Sequence, residues 1–87
     1  MNHDEFIEKA KELVRGYTLR HLDKSDDVVG LSFDVYVVWS VKVLQNSKAL
    51  LSTNLFDGMY YEVTLNGDKD QIYFDAYKKF ENLCIEI

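Results

Sequence analysis

Hydrophobic residues recur at three- and four-residue spacing over the first quarter of the chain and at every second position over most of the rest. Between residue 3 and about residue 22, Phe6, Ala10, Leu13, Val14, Tyr17 and His21 form one stripe that Ile7 widens, which predicts an amphipathic helix. Asn2 followed three residues later by Glu5 has the spacing of a reciprocal N-terminal cap, and Glu5 with Lys9 that of a favourable ion pair. Gly16 costs about 1 kcal/mol against alanine inside a helix and so suggests close packing there. The stretch LDKSDDVVG then breaks the periodicity and reads as a loop.

From Phe33 the period becomes two. Phe33, Val35, Val37, Trp39, Val41 and Val43 make a wholly apolar face, and Asp34, Tyr36, Val38, Ser40, Lys42 and Leu44 a mixed one. This alternation places Trp39 in the core. A three-residue loop at Asn46-Ser47-Lys48 aligns Val43 with Leu51 in a second strand over about 49 to 54. NLFDG separates that strand from a third beginning at Met59.

In MYYEVTLNGDKDQIYF, Asn66-Gly67 suits a two-residue turn whose central residues both need positive φ. That turn pairs Leu65 with Asp68, Val63 with Asp70, Tyr61 with Ile72 and Met59 with Phe74. On the opposite face it pairs Thr64 with Lys69, Glu62 with Gln71 and Tyr60 with Tyr73. In DAYKKFENLCIEI, Asp75 has the character of a helix cap, with Tyr77, Phe80 and Leu83 or Cys84 facing inward and the last residues extended. The expected fold is α+β: a two-layer sandwich of a four-stranded antiparallel meander with an N-terminal helix and a short C-terminal helix on one face, in the order α-β-β-β-β-α. Residues 1–87 read as one domain.

Composition narrows the function classes. With 47% hydrophobic and 29% charged residues and no proline, the chain reads as a soluble globular protein. A net charge of −5 argues against tight binding to phosphate backbones. Cys84, the single cysteine, has no intramolecular partner, the N-terminal residues lack the apolar core of a signal peptide, and no apolar run reaches the roughly 20 residues of a membrane span. A cytoplasmic protein is the expectation.

The segments FIEKAKELV, HLDKSDD, DGMYYEVT and DAYKKFEN together resemble a family of small uncharacterised proteins encoded by phages and prophages of Gram-positive bacteria. Ser47 stands where that family often has an aromatic, and Phe56 where it often has proline. The resemblance implies a bacterial cytoplasmic setting. It implies no activity, cofactor or site residue.

Candidate chemistry is sparse. His21, Asp23, Asp26 and Asp27 cluster as metal ligands do, but Val28 stands where a calcium-binding loop needs glycine, so a solvated acidic loop is the better reading. Cys84 with His3 or His21 lacks a third orienting group and reads as an inert buried thiol. No catalytic residue, metal, cofactor or small-molecule substrate is indicated. What stands out is the mixed sheet face, where Tyr36, Val38, Lys42, Tyr60, Glu62, Gln71 and Tyr73 fall together; tyrosine among a few aliphatics has the composition of a protein interface, and equally of cross-strand packing. Two functional readings follow. The first is a non-enzymatic protein that associates with another protein or with itself through this face or a strand edge. The alternative is a nucleic-acid-binding module with the element order of double-stranded RNA-binding domains.

Overall fold

The computed structural model describes residues 1–21 and 32–87. The acidic loop after the helix, with Asp23, Asp26 and Asp27 of the candidate metal cluster, lies outside the described residues. Helix α1 (His3–His21) is followed by strands β1 (Val35–Val43), β2 (Asn46–Thr53), β3 (Met59–Asn66) and β4 (Gln71–Lys78). The strands form one antiparallel sheet in the order β1-β2-β3-β4.

The N-terminal cap of α1 forms as its spacing predicts. The Glu5 amide donates to Asn2 Oδ1 at 2.8 Å, and the Asn2 amide to Glu5 Oε1 at 3.2 Å. The ion pair on this helix joins Lys9 to Glu12 rather than to Glu5. Phe6, Ala10, Val14 and Thr18 are buried, with Ile7, Leu13 and Tyr17 packed at their margins. His21 is exposed; its ring stacks on Tyr17 at 4.0 Å. A Cβ at Gly16 would meet only the far end of the Arg20 side chain, so close packing against the sheet does not explain that glycine.

The helix covers the sheet face formed by Val35, Ala49, Leu51, Tyr61, Val63 and Leu65, with Ile72 and Phe74 at its margin. At one end of α1, Arg15 donates to the Phe33 carbonyl at 3.3 Å and holds its guanidinium over the Phe33 ring. At the other end, His3 bridges two strands, with Nδ1 3.2 Å from Ser47 Oγ and Nε2 3.1 Å from Ser40 Oγ.

The His3–Ser40 contact accompanies the main departure in β1. The ladder pairs Val37 with Leu51 but Trp39 with Leu50, leaving Val38 as the extra residue of a bulge. A bulge exchanges the two faces beyond it. Ser40 and Lys42 therefore turn to the helix side, where Ser40 meets His3. Trp39, Val41 and Val43 turn away, and Trp39 is 44% exposed instead of buried. The β1–β2 connection is also tighter than expected. Val43 pairs with Asn46 across a loop of Leu44 and Gln45, Leu44 has φ 55°, and β2 begins at Asn46.

The β3–β4 hairpin has a four-residue loop, 67–70, with Asn66 opposite Gln71, and Asp70 is the residue at positive φ, 51°. Asn66-Gly67 is thus not the turn centre. The reason lies in the core: a two-residue loop would set Asp68 and Asp70 against Leu65 and Val63 on the buried face, whereas the longer loop sets Ile72 and Phe74 there. Asn66 Oδ1 accepts from the Lys69 amide at 3.3 Å within this loop.

No C-terminal helix forms. Ile72, Phe74 and Ala76 continue the inward alternation through Asp75, so β4 runs to Lys78, and Tyr77 lies exposed rather than inward. The Lys79 amide adds one more rung to the Gly58 carbonyl at 2.7 Å. Residues 80–87 then leave the sheet with Phe80, Leu83, Ile85 and Ile87 exposed, and Cys84 is an exposed thiol, not a buried one. The element order shared with double-stranded RNA-binding domains loses its final helix.

Candidate functional site

Among the described residues, a single helix covers one side of the sheet, and the other side is open. Pairing sets this open face in rows across the four strands. The first row runs Tyr36, Ser52, Tyr60, Tyr77; the second Trp39, Leu50, Glu62, Asp75; the third Val41, Lys48, Thr64, Tyr73; Val43, Asn46, Asn66 and Gln71 close it. Tyr36, Val38, Trp39, Val41, Val43, Tyr73 and Tyr77 are all exposed.

Of the residues expected on this face, Tyr36, Tyr60, Glu62, Gln71 and Tyr73 lie on it, and Val38 sits exposed at the bulge beside it. Lys42 does not. It pairs with Ser47, whose side chain is buried on the helix side, because the bulge has exchanged the faces there. Tyr60 pairs with Tyr77, and Tyr73 with Thr64, so the expected Tyr60–Tyr73 pair is replaced. Trp39, Val41, Val43 and Tyr77 were missed. The first three needed the bulge to be seen, which an unbroken run of Val37, Val38 and Trp39 conceals, and Tyr77 needed β4 to be read past Asp75.

Charge and apolarity divide the face in two. The β1 side carries Trp39, Val41 and Val43, whereas Glu62 and Asp75 stand directly opposite each other on β3 and β4. Lys48 reaches Glu62 at 3.4 Å, with both side chains accessible to solvent. Such a half-wet pair contributes little stability. The apolar half is the part that contact with another surface would bury.

On the helix side, a recess of about 310 Å³ lies near the end of α1, lined by Tyr17, Thr18, His21, Asp57, Met59, Tyr61 and Lys78. Burial raises the Tyr61 phenol above its ordinary 10.0, while a hydrogen bond with the Thr18 side chain opposes that shift. The unfolded chain therefore releases this proton first as pH rises. The stabilisation is fully present below about pH 10 and is lost above it, through the raised folded value. Alkaline urea titrations should show stability falling above pH 10, and Tyr61→Phe should make that fall shallower. An equal slope in the variant would show that the phenol does not contribute.

The His3, Ser40 and Ser47 contacts superficially resemble a nucleophile with its base. Ser47 is buried, and the arrangement ties the start of α1 to β1 and β2. Among the described residues, no group of three His, Cys, Asp or Glu side chains is placed to hold a metal ion.

The fold and its open face define a small α+β protein, one helix laid on a four-stranded antiparallel meander. The chain belongs to a family of unknown function, DUF6275, whose model matches residues 7–87. Neither the curated proteins nor the solved structures contain a match.

Proposed function

We propose that this protein works by binding another protein surface, a second copy included, through the open face of its sheet. In this reading it is a small non-enzymatic interaction protein of phage or prophage origin in the bacterial cytoplasm. The observation that carries it is the exposed row of Trp39, Val41 and Val43 with Tyr36, Tyr73 and Tyr77 on the same side of the sheet. Tryptophan and tyrosine supply large contact areas at low entropic cost and dominate interface energetics. The phage setting is supported by the sequence resemblance. No helix of the described residues is long and apolar enough to cross a membrane.

Trp39 is the only tryptophan, so its emission reports on this face directly. In the free protein it should be readily quenched by iodide, and association should shift it to the blue and protect it. The double variant Trp39→Ser/Tyr77→Ser should keep its far-ultraviolet circular dichroism and lose at least about tenfold in self-association or partner affinity. Unchanged affinity in the folded variant would reduce these side chains to sheet packing.

A further inference from the structure

We propose that residues 83–87 of one copy pair as a fifth strand along the outer edge of β1 in a second copy, two chains exchanging these segments reciprocally. This names the partner for the strand edge that borders the open face and rests on reading that face as an association surface.

Two unsatisfied elements in the same chain point to each other. After the rung at Lys79, the chain leaves the sheet with apolar side chains in water; Phe80 is 90% exposed and Ile85 77%. In Leu83-Cys84-Ile85-Glu86-Ile87, apolar residues occupy every second position, the pattern of a strand that buries one face. At the other side of the sheet, β1 is an edge strand, and no described residue pairs with its outer side. Such an edge presents free N–H and C=O groups to any extended segment.

The two patterns match residue by residue. Beyond the bulge, Trp39-Ser40-Val41-Lys42-Val43 runs as five regular residues, with Trp39, Val41 and Val43 on the open face and Ser40 and Lys42 on the helix side. A fifth strand with Leu83, Ile85 and Ile87 on the open face continues the apolar strip by one strand, and the same register sends Glu86 to the side of Lys42. A charge directed inward on an edge strand normally repels added strands. Here it selects one that carries a carboxylate at the matching position.

The segment that pairs here comes from another copy, because the chain's own cannot reach. Leu83 is five Cα steps from Lys78, which span at most about 16–18 Å. The outer edge of β1 lies four strand spacings from β4, about 19 Å at roughly 4.8 Å each. A chain that must also pass around a sheet face cannot lay Leu83–Ile87 along its own β1.

Sedimentation of the full chain should give a dimer. Ile85→Asp/Ile87→Asp should sediment as a folded monomer, with affinity reduced about a hundredfold or more because two carboxylates would enter an apolar strip. Lys42→Glu should weaken the dimer, and Lys42→Glu/Glu86→Lys should restore it. As the sole thiol, Cys84 should form an intermolecular disulfide under mild oxidation with Ser40→Cys or Lys42→Cys. A full chain that stays monomeric overturns the proposal, as does a dimer that survives the Asp pair or yields neither cross-link. The two readings fail separately: a dimer that persists in Ile85→Asp/Ile87→Asp and is lost in Trp39→Ser/Tyr77→Ser would leave the open face as the interface and remove only this segment from it, whereas a dimer lost in the first variant and kept in the second would remove the open face.

Discussion

Replacing Phe6 with alanine is expected to destabilise the protein by about 3–5 kcal/mol, the range for deleting a buried aromatic side chain. Phe6 is fully buried near the start of α1, beside the His3 ring and over the sheet. Among the described residues, one helix alone covers this face. A small domain holds only about 5–15 kcal/mol in total, so the loss would remove a large part of the whole. The urea midpoint should fall accordingly, and the variant should bind hydrophobic dyes as the layers separate. A change below about 1 kcal/mol would mean that Phe6 is not what docks the helix.

The second large effect belongs to Gly67. A Cβ there would run into the Gln45 carbonyl and come within 2.7 Å of the Gln45 side chain, because the 67–70 loop lies against the β1–β2 turn. The Gly67 amide also donates to Asn46 Oδ1 at 3.0 Å, so the loop is fastened where it is crowded. Gly67→Val should therefore cost about 1–3 kcal/mol, as overpacking does. The reason can be separated from turn strain. Asparagine reaches positive φ easily, so it would be tolerated if conformation were the issue, whereas crowding penalises Gly67→Asn and Gly67→Ala as well. Equal midpoints for wild type and Gly67→Asn would exclude the crowding argument.

This glycine shows how far the sequence could be read. Asn66-Gly67 marked a hairpin correctly because turn residues punctuate strands wherever the loop centre falls. The loop was two residues longer than the dipeptide suggests, and the signal against the shorter loop was present: it set two aspartates against Leu65 and Val63. Pairing partners moved by four residues, an even number, so residues 59–66 and 71–74 kept the faces expected of them, whereas Tyr77, expected inward on a helix, lies on the open face. In α1, capping and a three-to-four period act locally, and the helix ends within a residue or so of its expected bounds.

The losses have a common origin. The bulge goes with a contact from outside the strand, His3 bonded to Ser40, and residue alternation within β1 carries no trace of that distant partner. The capping character of Asp75 was a real local preference outweighed by pairing with β3. The candidate face was legible as a tyrosine-bearing surface on β3 and β4. Its apolar half on β1 was assigned to the wrong side by one residue.

Seen as a matter of heredity, the bulge at Val38 gives β1 a spare codon. Because Val38 stands outside the ladder, losing it would join Val37 directly to Trp39 in unbroken alternation and leave the downstream side chains facing as they do now. The same single-residue loss from β3, which is paired on both sides, would invert a buried row. Length variation is thus far cheaper in the strand that borders the apolar strip than in the strands that hold the core, which leaves that border the freest part of the sheet to diverge.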